Sequence, residues 1–226
     1  MKKLSWLSII FLLALFIQPL NAQVQVGVQA GINVTDIKTD LTQEGFKTAF
    51  RTRFLVGGML SYDFLTVLSL QLEPAYIQKG AAVNISTVEG GIPIDLEANI
   101  SANYFDLPVL LKASFPSGFV RPYLLAGGSV ALLLGDAKLK IDKASSNGQD
   151  VTSLIPSNLR EQTIKIKKTD FILTFGAGIT IPISLFNLFI EGRYDLGLKN
   201  VNDEPADNTE FKTRGIQIKA GLLFTL

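Results

Sequence analysis

The sequence predicts an all-β protein: an eight-stranded antiparallel up-and-down transmembrane β-barrel, preceded by a cleaved signal peptide. Three observations carry this. Stretches of about ten residues alternate apolar and polar side chains along the chain, which is the period of an extended strand. The connections between these stretches alternate long and short. The ionised residues share one face of the strands, while Leu, Ile, Val and Phe share the other. The stretch LFIEGRYDLGL shows the pattern best. Leu188, Ile190, Gly192, Tyr194, Leu196 and Leu198 have one parity, and Phe189, Glu191, Arg193, Asp195 and Gly197 the other.

Composition narrows the class. The chain has 226 residues, 47% hydrophobic and only 18% charged, which is too apolar for an ordinary soluble surface. One long apolar run exists, at the N-terminus. Lys2 and Lys3 precede Leu7–Ile17, and Leu20-Asn21-Ala22 offers a cleavage site before Gln23. The run is short for a spanning helix, which needs about 20 residues, and its layout is that of a secretory signal. The expected division is a signal peptide over 1–22 and a barrel domain over 23–226. The formal charge of +1 gives no electrostatic case for nucleic acid. With Cys 0 and His 0, disulfides, thiolate metal sites and a histidine general base are all excluded.

Strand one begins at Gln23, with Val24, Val26, Val28, Ala30 and Ile32 opposed to Gln25, Gln29 and Asn33. A polar connection is expected from Asp36 to about Thr52. Strand two runs from about Arg53 to Asp63, with Phe54, Val56, Leu60 and Tyr62 on its apolar face. After a tight turn near Phe64-Leu65-Thr66, strand three sets Leu68, Leu70, Leu72 and Tyr76 against Ser69, Gln71, Glu73 and Lys79. A second polar connection is expected over about Gly80 to Ile100.

Strand four is NYFDLPVLLKA. Phe105, Leu107, Val109 and Leu111 point out; Tyr104, Asp106, Leu110 and Lys112 point in. Pro108 lacks an amide hydrogen and predicts a locally broken ladder or a bulge. Strand five covers about Val120 to Leu134, with Arg121, Tyr123 and Ser129 inside. The longest connection is read from Gly135 to about Lys168. Strand six places Phe171, Leu173, Phe175, Ala177 and Ile179 outside, and Asp170, Thr174, Gly176, Gly178 and Thr180 inside. The LFIEGRYDLGL strand follows a short turn. A fourth long connection spans Lys199 to Thr213, and GIQIKAGLLFTL is strand eight.

Eight strands of about ten residues suffice to cross a bilayer when tilted. They must close, because an open edge in hydrocarbon leaves backbone groups unpaired. Long external and short periplasmic connections are the outer-membrane arrangement, which predicts both termini in the periplasm. The apolar face carries aromatics at two heights: Phe54, Tyr76, Phe105, Phe171 and Tyr194 at one end, Tyr62, Phe64 and Phe224 at the other. A soluble lipocalin-like barrel would invert the faces. It would have to line an apolar pocket with Glu73, Asp106, Lys112, Glu191, Arg193, Asp195 and Lys219.

An eight-stranded barrel is just wide enough for side chains to fill. The interior charges are assigned as Lys79, Lys112, Arg121, Arg193 and Lys219 against Glu73, Asp106, Asp170, Glu191 and Asp195. Buried charges need partners, so this balanced set reads as a packed ion-pair filling rather than a conduction path. No cofactor, metal or catalytic residue is assigned. Chemistry around Asp170 and Ser129 has no supporting constellation. Asp203, Glu204, Asp207, Asn208 and Glu210 read as a solvated acidic loop rather than a calcium site. Lys165, Lys167 and Lys168 read first as ordinary strand-end lysines, with contact to lipopolysaccharide phosphates as the alternative. The pairs Gly57-Gly58 and Gly127-Gly128 lie inside strands and read as close packing.

The segments VGVQAGINV, LSLQLEPAYIQKGA, NYFDLPVLLKA, RPYLLAGGSVALLLG and FIEGRYDLGLKNV resemble the outer-membrane β-barrel family of Bacteroidetes known as porin-family or PorT-like. The likeness covers essentially everything after residue 22. It implies an outer-membrane location, no defined catalytic residues and, through the namesake, a link to type IX secretion and gliding. The function expected is a non-enzymatic structural or interaction role, with external loops contacting lipopolysaccharide or protein partners. Alternatives are an accessory component of that secretion apparatus, a narrow ion-conducting channel and a lipid-modifying enzyme. Other expected partners are outer-membrane lipid and, during insertion, the barrel-assembly machinery, for which the last residue is Leu226 rather than an aromatic and Phe224 is the aromatic nearby.

Overall fold

Strand β1 (Gln23–Thr39) pairs antiparallel with β2 (Phe46–Asp63) on one side and with the last strand of the chain on the other. That second pairing closes a ring in the computed structural model, which describes residues 23–39, 46–115, 118–201 and 211–226. The segment read as a signal peptide (1–22) and the acidic loop (202–210) lie outside the described residues.

Next in the ring comes a stave in two pieces, β3 (Leu68–Leu72) and β4 (Ala75–Glu89), then β5 (Ile92–Ser114) and β6 (Arg121–Leu133). The long connection that follows holds β7 (Ala137–Ser146), β8 (Gln149–Asp150), single helical turns at Thr152–Leu154 and Ser157–Arg160, and β9 (Glu161–Ile164). The chain returns to the ring as β10 (Thr169–Ile183), β11 (Phe186–Gly197) and β12 (Phe211–Thr225). With β3 and β4 counted as one stave, the ring has eight, each paired antiparallel to both neighbours. Among the described residues no helix is long and apolar enough to cross a membrane.

Side-chain parity sorts the two faces as the sequence predicts. Along β11, burial alternates strictly from Phe189 to Gly197. Val28, Phe54, Leu60, Val109, Leu124, Phe175, Ile190 and Ile218 are exposed around the outside of the ring. Their cross-strand neighbours continue the apolar surface, for example Val28 beside Leu222 and Phe175 beside Tyr194. The rings of Phe54 and Tyr76 meet at a tilt with centroids 5.7 Å apart toward one end, and those of Phe186 and Phe224 at 6.1 Å toward the other.

Two predicted connections are wrong in kind. Gly80 to Ile100 is not a loop: β4 and β5 continue as a hairpin to a two-residue turn at Gly90-Gly91, both at positive φ. Such a turn matches the twist of the strands and needs glycine. About half of Gly135–Lys168 is also strand, since β7 pairs with β5 and β9 with β7. The described part of the first connection extends both β1 and β2. At 23 residues β5 is about twice as long as a bilayer requires. Exposed apolar residues alternate with buried ones only in its second half, from Phe105 to Leu111, so the first half stands beyond the lipid band. Pro108 does not interrupt β5. The gap falls on the neighbouring stave at Glu73-Pro74, where Glu73 N–H donates to the Pro108 carbonyl at 3.1 Å.

Candidate functional site

The barrel interior gathers nine of the ten predicted charges as buried side chains: Glu73, Lys79, Asp106, Lys112, Asp170, Glu191, Arg193, Asp195 and Lys219. Arg121 departs from the prediction. It is the first residue of β6, so its long side chain stays exposed at the short-turn mouth. There it borders a cavity of about 190 Å³ with Asp63, Lys112 and Asn187.

Glu73 is the hub of the buried set. It sits at the β3/β4 break, and its carboxylate accepts from Arg193 at 2.7 Å, Lys219 at 2.9 Å and Gln29 at 3.1 Å. These donors come from β11, β12 and β1. The second carboxylate, Glu191, pairs with Arg193 Nε and with Lys219 at 3.3 Å, and accepts the Tyr123 hydroxyl at 2.9 Å. Two acids and two bases thus form one neutral cluster. Lys112 lies against the ring of Tyr123, 4.0 Å from its centroid, where the π-face favours a cation.

A second group lies toward the long-connection end. Lys79 pairs with Asp170 at 3.2 Å, and the Thr213 hydroxyl donates to the same carboxylate at 2.8 Å. Asp195 accepts from Thr174 at 2.7 Å and from the Gln217 amide. Ser129 stands opposite Ile172 on β10, and no hydrogen bond joins it to Asp170 among the described residues. The nucleophile–base geometry that chemistry at this pair would need is therefore not assembled.

Polar–apolar alternation alone does not describe this interior. Apolar layers bracket the ions. Met59, Phe189 and Leu223 form one, Leu110, Tyr123 and Leu125 another, both toward the short-turn end. At the other end Leu55, Ile77, Ala102, Tyr104, Ala131, Ala137 and Ile172 cluster, with Leu133, Ile164 and Ile166 packed on them. Inward glycines make the space. A Cβ on Gly178 would stand 2.5 Å from the Tyr123 ring, and one on Gly221 2.6 Å from Phe189. Beside the second group lies a cavity of about 230 Å³ reached by Lys79, Tyr104, Leu139 and Ile164. Of the three strand-end lysines for which lipopolysaccharide contact is the alternative reading, Lys165 and Lys168 are exposed, while Lys167 donates to the Asn200 carbonyl at 3.0 Å.

The family model described as "Outer membrane protein beta-barrel domain" matches residues 16–203. No curated protein matches the sequence. Among solved structures the chain is similar to the outer membrane protein OprG from Pseudomonas aeruginosa (15% identity, 91% of this chain and 97% of that one, TM-score 0.49). It is similar also to Neisserial surface protein A (14%, 88% and 96%, 0.44). A third is Ail, the attachment invasion locus protein of Yersinia pestis (14%, 88% and 98%, 0.40).

Proposed function

Because the chain belongs to the outer membrane protein β-barrel domain family, we propose that it is a non-enzymatic outer-membrane barrel with a structural or interaction role, working through the strands that project beyond the lipid. The observation that carries this reading is the contrast between its two halves. The ring interior is occupied by a neutral ion cluster between apolar layers, which favours a plug over a path for solutes or ions. Beyond the lipid band, β4, β5, β7 and β9 build a sheet with exposed Val88, Ile92, Lys138 and Lys140. That sheet has surface to offer a protein partner; the ion-filled part of the interior does not.

In this reading the long connections face outward and both termini lie in the periplasm. Exposed Lys165 and Lys168 meet lipopolysaccharide phosphates. The PorT-like kinship suggested by LSLQLEPAYIQKGA and FIEGRYDLGLKNV makes a secretion-apparatus component the first protein partner to test. An epitope inserted between Gly90 and Gly91, combined with a photo-crosslinker at Val88, tests the reading. The expected result is antibody labelling of intact cells and a saturable crosslink to lipopolysaccharide or to one protein. Labelling only after permeabilisation, or stepwise conductance in planar bilayers, contradicts it.

A further inference from the structure

The cavity of about 230 Å³ beside the Lys79–Asp170 pair has largely apolar walls, reached also by Thr35, Asp36, Lys79 and Thr213 and by Lys165, whose side chain is exposed. Its walls are Ile100, Ala102 and Tyr104 from β5, Leu139 from β7, and Ile164 and Ile166 from the segment that follows. Most polar groups at its edge are already engaged. The Thr35 hydroxyl donates to the Gly80 carbonyl at 2.8 Å, Asp36 pairs with Arg214 at 2.8 Å, and Thr213 donates to Asp170. Lys79 is different. An ammonium has three N–H donors, and among the described residues the structure gives it one hydrogen bond, to Asp170, beside the Tyr104 ring at 4.9 Å.

We propose that this cavity binds a compact, mainly apolar, uncharged molecule carrying one hydrogen-bond acceptor, with the acceptor on Lys79. Size sets the first limit. A dry apolar cavity of about 150 Å³ takes benzene, so this one suits roughly ten to twelve heavy atoms, below the ~300 Å³ at which drug-sized sites begin. Charge sets the second. Asp170 neutralises the Lys79 ammonium at 3.2 Å, which leaves it without spare positive charge for an anionic ligand and keeps a carbonyl or ether acceptable. The apolar walls supply most of the binding, and the single donor supplies orientation. The projecting sheet lends the site Leu139 and Ile164, but binding inside the cavity does not depend on any partner docking on that sheet's outer surface, so the proposal can fail or hold apart from the partner reading above.

Coumarin, a fused bicyclic with one lactone carbonyl, is a suitable probe, and naphthalene is its match without an acceptor. Both are titrated into the full barrel in lipid nanodiscs and followed by methyl NMR. We expect saturable shifts at the methyls of Ile100, Leu139, Ile164 and Ile166, with the lipid-face methyls of Val109 and Leu124 unmoved. Coumarin should bind about tenfold more tightly than naphthalene, the value of one hydrogen bond from a charged donor. Ala102→Phe should abolish the shifts by filling the cavity; if that variant does not fold, Ile164→Phe fills it from the covering segment. Parallel movement of the lipid-face methyls, shifts that never saturate, or shifts that survive the filling variant overturn the proposal. Equal affinities for the two probes overturn the role of Lys79.

Discussion

Glu73 and Arg193, 120 positions apart in the chain, meet at 2.7 Å across the full width of the barrel. Their staves are four places apart in a ring of eight, so the pair spans a diameter. Each is almost wholly buried, at 0% and 3% exposure. Such a pair holds opposite walls together only while both partners are present. Buried ions gain little over an apolar filling of equal volume, yet losing one partner strands the other.

Arg193→Met should therefore destabilise the barrel by about 3–5 kcal/mol, since Glu73 and Glu191 would be left to share Lys219. Glu73→Gln should cost a similar amount. The double variant should cost clearly less than the two singles together, because each removes the charge the other leaves unpaired. Reversible urea unfolding in detergent, analysed as a double-mutant cycle, measures the coupling. Simple additivity would show that the strut carries no shared energy.

Two glycines on opposite faces make a matched test of interior packing. At Gly178 a methyl group would meet the Tyr123 ring at 2.5 Å, whereas at Gly192 nothing lies within 4 Å. Gly178→Ala should cost about 1–3 kcal/mol through overpacking. Gly192→Ala should be neutral or slightly stabilising, since alanine loses less backbone freedom than glycine on folding. Thermal unfolding of the two variants compares them directly, and equal effects would place Gly178 outside the packed interior.

Leu124 is 55% exposed on the outer face of β6. Leu124→Arg should cost about 2–4 kcal/mol if that face meets the middle of the bilayer. Leu154, 77% exposed in the long connection, is the control. Leu154→Arg should change stability by no more than about 0.5 kcal/mol. Unfolding from lipid vesicles reads both, and a tolerated Leu124→Arg would remove the outer face from lipid.

The attachment of β9 to β7 should depend on pH from both sides. Lys138 bonds Glu161 at 2.6 Å in the projecting sheet. The hydrogen bond to Lys138 and its charge hold the Glu161 carboxyl below its usual range, and the same partner raises Lys138 above its own. A depressed carboxyl contributes above its unfolded value, and that contribution disappears as pH falls through the depressed one. A raised lysine contributes below its unfolded value and loses this as pH rises through the raised one. Protection of the β9 amides against hydrogen exchange should then be greatest between the two limits and fall in strong acid and strong base. Both side chains are exposed, so the effect should be small and should fade in high salt. Protection that does not change with pH would detach the ion pair from the β9 docking.

Much of this architecture is legible in the residues themselves, because lipid imposes a strict parity. Ile190 and Tyr194 outside, Glu191 and Arg193 inside, follow from alternation alone. So does the inward position of Gly178, although its partner Tyr123 is 55 positions away and only the barrel's register joins them. The projecting strands escaped because alternation loses its meaning where both faces touch water. In Ile94-Asp95-Leu96-Glu97 the pattern persists without a lipid band to explain it, yet the backbone pairs β4 in register. Local signals were present, since Gly90-Gly91 and Asn147-Gly148 both adopt positive φ at hairpin turns. The apolar interior layers were obscured by the same parity rule. Phe189 shares a face with Glu191 and Arg193, and only the closed ring shows that it packs on Met59 and Leu223 rather than on lipid.

Facing is the premise beneath all of these expectations, and β11 offers its most direct measurement. The chain has no cysteine, so single cysteines introduced from Leu188 to Gly197 can each carry a nitroxide in lipid vesicles. Collision rates with oxygen, which concentrates in acyl chains, should peak at positions 188, 190, 192, 194 and 196. They should drop at 189, 191, 193 and 195, giving a period of two. A profile with no alternation, or one with its maxima at the charged positions, would contradict a barrel that turns its oily face to lipid and closes around its ions.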